Sequence, residues 1–240
     1  MDTIGANLQA VKARIASAAQ QCGRAPESIE LLAVSKTFGA DAIAAACAAG
    51  QRAFGENYVQ EAADKIAALQ GRNLVWHFNG PIQSNKTRQI AEHFDWVHGI
   101  DRLKIAERLS AARPAELAPL QVCIQINIGD ETSKSGVAPG QALELARAVA
   151  LLPRLKLRGM MAIPPASDDA WVQRRYFAEL RKLRDELTAA GLALDTLSMG
   201  MSADMEAAIT EGATMVRVGT AIFGARGKRT PQNTEISGKP

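Results

Sequence analysis

The chain is poor in the residues that build metal centres and disulfide frameworks. Its three cysteines, Cys22, Cys47 and Cys123, lie far apart and form no Cys-x-x-Cys unit, which leaves a disulfide scaffold without support and fits a reducing compartment. Its three histidines, His77, His93 and His98, show neither His-x-x-x-His nor Cys/His ligand spacing, so no metal is expected and the three read as strand-end or surface residues. No stretch reaches the roughly 18 consecutive apolar residues of a spanning helix. The amino terminus places Ile4, Leu8, Val11 and Ile15 at helical spacing with Lys12 and Arg14 between them, unlike the unbroken apolar core of a signal peptide. Charge is not one-sided either: 28 basic against 25 acidic residues give a net charge of +3, and the excess forms no basic stripe that would point to nucleic acid or a membrane surface. The expectation is a soluble, cytoplasmic monomer.

What the chain does have is an alternation. With 47% hydrophobic residues over 240 positions there is ample material for a core. After the first helix, short apolar runs alternate with alanine-rich amphipathic stretches. The runs predict strands at Leu31 to Ser35, Ala53 to Gly55, Leu74 to Phe78, Trp96 to His98, Leu120 to Ile128, Leu155 to Ile163, Thr196 to Met199 and Thr214 to Val218. Helices are predicted between them at Ala40 to Ala49, Tyr58 to Leu69, Asn85 to Glu92, Arg102 to Ala112, Gly140 to Leu151, Asp169 to Ala190 and Ala203 to Glu211, with a short eighth around Ala221 to Gly224. Eight such units match a closed (β/α)8 barrel of the TIM type in one domain over residues 1–226. The alternative is an open doubly wound sheet, but no Gly-x-Gly-x-x-Gly turn follows the first strand, which disfavours its dinucleotide-binding version. Residues 227–240 are polar, contain Pro231, Gly238 and Pro240, and read as a frayed, flexible tail.

Two strand ends carry the chemistry. Thr196-Leu197-Ser198-Met199-Gly200-Met201-Ser202 and Val216-Arg217-Val218-Gly219-Thr220 each read as a strand that opens into a helix through small residues, an arrangement that aims backbone N–H groups at a dianion. In a barrel, phosphate is often held after the seventh and eighth strands. The other reading is an N-cap serine and a tight turn. Leu31-Leu32-Ala33-Val34-Ser35-Lys36 is an apolar strand ending in a lysine, either a barrel-mouth lysine paired with a carboxylate or an amine kept neutral by burial and by a cation such as Arg217, ready to condense with an aldehyde. A phosphate cup and a lysine together point to a phosphorylated aldehyde. Gly55-Glu56-Asn57-Tyr58-Val59-Gln60-Glu61 ends the second strand, with Asn57 either facing the ligand or capping the helix. The cluster Trp76-His77-Phe78-Asn79-Gly80-Pro81-Ile82-Gln83-Ser84-Asn85-Lys86 ends the third, and Ser133-Lys134-Ser135-Gly136 reads as a second anion site or a mobile loop.

These segments, with Met161-Ala162-Ile163-Pro164, resemble the pyridoxal phosphate homeostasis protein family from about residue 5 to residue 226. The resemblance implies a barrel similar to the amino-terminal domain of alanine racemase, with pyridoxal 5'-phosphate (PLP) covalently on Lys36. It implies phosphate contacts from Ser202, Gly219 and Thr220, Arg217 facing the pyridine nitrogen, and Asn57 among the residues lining the cofactor. Asn79 departs from the family pattern His-Phe-x-Gly, where an apolar residue is usual. An arginine at the pyridine nitrogen weakens the ring as an electron sink, and racemisation needs an acid/base on each face of the substrate carbon, which a racemase of this fold takes partly from a second domain. The implied function is therefore vitamin B6 homeostasis: a carrier that holds PLP and delivers it to apoenzymes, with no catalytic residue of its own. A low-activity amino-acid racemase or a Schiff-base lyase is the rival.

Overall fold

The structure, a computed structural model, describes residues 3–129 and 135–225. The tail beyond residue 226, and Ser133 and Lys134 of the loop read as an anion site or a mobile loop, lie outside the described residues. The chain opens with helix α1 (Thr3–Gln21) and then runs β1 (Glu30–Val34), α2 (Ala40–Ala48), β2 (Ala53–Glu56), α3 (Val59–Ala68), β3 (Val75–Phe78), α4 (Thr87–His93), β4 (Trp96–Ile100), α5 (Leu103–Ala112) and β5 (Leu120–Gln125). It continues with α6 (Ala142–Ala150), β6 (Leu155–Met161), α7 (Ala170–Ala189), β7 (Thr196–Ser198), α8 (Met205–Thr210), β8 (Met215–Val218) and α9 (Thr220–Phe223). Each strand pairs in parallel with the next, and β1 pairs with β8 through Leu32 opposite Arg217 and Ala33 opposite Val218. The sheet is therefore a closed eight-stranded barrel, and the open-sheet alternative is excluded.

The period of two along each strand divides the side chains between the barrel interior and the helical layer. Outward residues such as Ala33, Phe54, Val97, Val122 and Val216 are fully buried under the amphipathic helices. Inward residues form two layers of different character. At one level Leu32, Ala53 and Met215 make a small apolar cluster of their own. Two positions further along β8 stands Arg217, and its level is polar. Strands β5 and β6 stop at Gln125 and Met161, short of the predicted Ile128 and Ile163, because their last residues leave the ladder to shape the mouth. Ile163, for one, lines the cavity there.

Helix α1 lies outside the eightfold repeat. It buries Leu8, Val11, Ile15, Ala18 and Ala19 and packs on α2, α8 and α9. Its polar side chains hold the ends of the last two units. Asn7 Nδ2 donates to Ile222 O at 3.0 Å, Arg14 Nη2 to Ser202 O at 3.2 Å, and Arg24 Nη1, just past the helix, to Ile209 O at 2.8 Å.

Candidate functional site

Lys36 is the second residue beyond β1 and half-buried. Its neighbours on either side are fastened. Ser35 is fully buried, and its Oγ donates to Glu56 Oε1 at 2.6 Å. Thr37 has φ 72°, a left-handed conformation that is an outlier for a β-branched residue, and its N–H is held by Glu61 Oε1 at 2.6 Å. Lys65 on α3 joins the two carboxylates, donating to Glu56 Oε1 and Glu61 Oε1 at 2.7 Å each and to Ser35 O at 3.0 Å. The Glu56 side chain is fully buried and that of Lys65 nearly so. Burial raises the Glu56 carboxyl above its ordinary range, with the Lys65 ammonium opposing the shift. A buried ion network of this kind fixes geometry more than it adds stability, but removing one partner is costly. Its effect here is to set the turn that presents Lys36.

Beneath the mouth a second buried chain of side chains crosses the barrel. Arg217 on β8 donates through Nη1 to Ser198 O at 2.6 Å and Ser198 Oγ at 2.8 Å, and through Nη2 to Ala162 O at 2.9 Å. Ser198 Oγ is 2.9 Å from His98 Nδ1, and His98 Nε2 is 2.9 Å from His77 Nδ1. His77 stacks on Trp96 with ring centroids 5.3 Å apart. Both histidines are fully buried, which corrects their reading as strand-end or surface residues: β3 and β4 turn both rings inward at adjacent positions. Burial pushes His77 down to about 3 and His98 well below its usual value, helped by His77 and Arg217. Burial also lowers Arg217 to about 10, opposed by Asp204, so the guanidinium stays charged at neutral pH. Guanidinium has no acceptor. The Ser198 oxygen therefore accepts from Arg217, and the tautomers of the two rings set which way the Ser198–His98 and His98–His77 hydrogen bonds run.

The turns after β7 and β8 complete the mouth. Gly200 has φ 91°, and a Cβ there would lie 2.5 Å from the Ala208 methyl, so the chain reverses against α8 only with glycine. Met201 N–H donates to Asp204 Oδ1 at 2.5 Å, closing the loop. After β8, a Cβ on Gly219 would stand 3.0 Å from Val34 O, and the bare backbone lets this turn approach the end of β1. The amides of Ser202, Ala203, Gly219 and Thr220 donate in none of the hydrogen bonds of the turns, loops and caps.

These parts meet in one cavity of about 280 Å³. All six residues singled out in the sequence line it: Lys36, Asn57, Ser202, Arg217, Gly219 and Thr220. Phe38, stacked on Phe223 at 5.1 Å, and Asn79 also face it. Asn57 is not the helix cap, a place taken by Tyr58; its Oδ1 is buried with no hydrogen-bond partner. Lys65, Ser198 and the inward direction of the two histidines were not foreseen. A larger cavity of about 440 Å³, lined by Lys12, Glu30, Gln51 and Arg52 among others, opens at the amino-terminal ends of β1 and β2 and contains none of the mouth residues. In barrels of this kind the chemistry belongs to the carboxyl ends of the strands. The smaller cavity is the candidate site.

Residues 6–227 match the family model of the alanine racemase N-terminal domain. A pyridoxal phosphate homeostasis protein of Pseudomonas aeruginosa is 59% identical over 231 residues, covering 96% of this chain and 99% of the relative. The chain belongs to the pyridoxal phosphate homeostasis protein family. A member from Escherichia coli is likewise 59% identical, over 94% of this chain and 98% of its own. Among solved structures, PipY of Synechococcus elongatus with PLP bound superposes with a TM-score of 0.81 at 38% identity, covering 92% of this chain and all of PipY. Within the family fold, the cavity described above is formed by this chain's own strand ends.

Proposed function

We propose that the protein binds PLP as a Schiff base on Lys36 and serves intracellular vitamin B6 homeostasis, holding the reactive aldehyde and delivering it to apoenzymes. The observation that carries this reading is the convergence on one cavity of a lysine, a charged guanidinium and two turns with open backbone donors. The residues fit the group. Ser202, Gly219 and Thr220 would take the phosphate, the Gly219 turn allowing close backbone approach. Asn57 and Phe38 would flank the ring. Arg217 spends three hydrogen bonds on Ser198 and Ala162, which orients the guanidinium and leaves N–H groups for the ring nitrogen.

The same arginine speaks for holding over turnover. PLP sites place either a carboxylate or an arginine at the pyridine nitrogen, and the carboxylate makes the ring the stronger electron sink. A guanidinium can only donate there, so the nitrogen must accept and stay unprotonated. The neutral His98 and His77 behind Ser198 offer no route to reverse that arrangement, since both resist protonation. PLP supplies an electrophilic aldehyde when bound; the chain's part is to bind, orient and shelter it.

Borohydride reduction followed by peptide mapping tests the assignment. The cofactor mass should appear on the peptide containing Lys36 and nowhere else, and Lys36→Ala should abolish it. Cofactor mass on another lysine, or none after reduction, overturns the reading.

A further inference from the structure

Lys36 sits in a tight turn whose sequence conflicts with its geometry. Phe38 N–H donates to Ser35 O at 3.1 Å, closing a β-turn over Ser35, Lys36, Thr37 and Phe38. Lys36 keeps a negative φ while Thr37 has φ 72°, the pattern of a type II turn, whose third position favours glycine or asparagine. Among the described residues the non-glycines with positive φ are Thr37, Asn73 and Arg154, and of these Thr37 is the β-branched one, for which that region is an outlier. The Thr37 side chain is exposed, and its hydroxyl takes part in no hydrogen bond among the described residues, so the side chain does not offset the strain. The backbone does. Thr37 N–H donates to Glu61 Oε1 at 2.6 Å, a charge-assisted bond, and Lys65 Nζ holds the same oxygen at 2.7 Å.

The ends of the turn are fixed separately from its middle. Ser35 N–H donates to Gly55 O at 2.9 Å, Lys65 Nζ donates to Ser35 O at 3.0 Å, and Phe38 stacks on Phe223 at 5.1 Å. A relaxed form of the turn is available between the same ends. Converting type II to type I rotates the Lys36–Thr37 peptide, taking ψ of the second residue from about +120° to about −30° and φ of the third to about −90°. That rotation would remove the Thr37 N–H from Glu61 and set the Lys36 carbonyl against the carboxylate. Side-chain rotamers follow φ and ψ, so the reach of the Lys36 amine differs between the two forms. We propose that Glu61 is a positioning residue for Lys36, acting through the Lys36–Thr37 peptide, and that threonine at a glycine position keeps this peptide poised to flip. The consequence for aldehyde capture rests on the cofactor reading above; the clamp itself does not.

The test uses the full chain and two readouts. Without cofactor, ¹⁵N NMR should find the Thr37 amide proton downfield, as a short bond to a carboxylate requires, and upfield of that position in Glu61→Leu; an unmoved resonance overturns the clamp. With ligand, affinity for PLP is compared with that for pyridoxine 5'-phosphate, which has the same phosphate and ring but no aldehyde for Lys36. Glu61→Leu should lower the preference for PLP at least about tenfold, because fewer molecules hold the competent turn. Adding Thr37→Gly should recover at least about threefold, since glycine accepts positive φ without the clamp. An unchanged preference in Glu61→Leu, equal weakening of both ligands, or no recovery with glycine overturns the proposal. If Glu61→Leu fails to fold, Thr37→Gly in the parent decides: it should raise the urea midpoint, and a midpoint at or below the parent's overturns the strain. Lys36→Ala separates the two readings. A preference for PLP that survives it overturns the cofactor reading together with the capture role of Glu61, whereas a preference lost in Lys36→Ala but kept in Glu61→Leu overturns the positioning role alone.

Discussion

The two walls of the barrel mouth are made of different material. The wall after β7 and β8 is backbone: open amides at Ser202, Ala203, Gly219 and Thr220, shaped by Gly200 and Gly219 and braced from outside by Asn7 and Arg14 of α1. The wall after β2, β3 and β5 is side chain: the amides of Asn57, Asn79 and Gln125. One presents backbone donors, the other primary amides that can both donate and accept. Their foundations differ as well. The backbone wall stands beside the chain Arg217–Ser198–His98–His77, whose histidines are neutral, whereas the Lys36 turn and the start of the amide wall stand on the ion network Lys65–Glu56–Glu61. Polarity built into backbone survives most substitutions, and polarity built into side chains is one substitution deep. The mouth is thus fixed where an anion would sit and adjustable along the wall of side-chain amides.

Acid should separate the two foundations most strongly. In the unfolded chain a histidine protonates near 6.5, while in the folded protein His77 does so only near 3 and His98 is also depressed. Their contribution to stability is therefore present above about pH 6.5 and is lost as the pH falls toward about 3. His77 adds a slope of about 1.4 kcal/mol per pH unit in that window, and His98 acts in the same direction. His77→Gln keeps a hydrogen-bonding side chain beside His98 and removes one titrating group. Urea unfolding measured between pH 6.5 and 4 should show a shallower acid limb by one proton; an identical limb in parent and variant would show that the histidine chain does not govern acid stability.

The ion network should fail differently. Lys65→Met leaves two carboxylates facing one another, Glu56 fully buried, and should cost about 3–5 kcal/mol at neutral pH. Adding Glu56→Gln should recover a large part of that loss, because the uncompensated charge is what the single variant suffers from. Denaturant titration of the parent, single and double variants reads both effects. A loss below about 1 kcal/mol in Lys65→Met would mean that the Lys36 turn does not depend on this network.

The contrast between the walls also marks what the sequence could and could not show. Lys36, Ser202, Arg217, Gly219 and Thr220 were legible because each sits at the end of a strand whose apolar run is visible, and the order of eight strands assigns those ends to a common face. Lys65 was hidden in an ordinary amphipathic helix: only the closure of β1 against β2 brings it under Ser35 and Glu56. His77 and His98 were misplaced for a related reason. A strand pattern of four or five residues does not tell which face is the barrel interior, and the pairing of the two rings depends on the register between β3 and β4 across 21 residues. Asn79 was visible as a polar residue where the family has an apolar one, but its neighbours Asn57 and Gln125 come from separate strands, so the amide wall could be assembled only in three dimensions.

The most direct test of the account is the protein's preference for pyridoxal 5'-phosphate over pyridoxal, compared between variants of the two walls. Ser202→Ala combined with Thr220→Val removes hydroxyl donors, each hydrogen bond to phosphate being worth about 1.5–3 kcal/mol, while Asn79→Leu alters only the amide wall. The account predicts that the preference falls at least about tenfold in the double variant (about 1.4 kcal/mol) and is unchanged in Asn79→Leu. An undiminished preference in the double variant, or a loss of it in Asn79→Leu, would contradict the placement of the phosphate after β7 and β8.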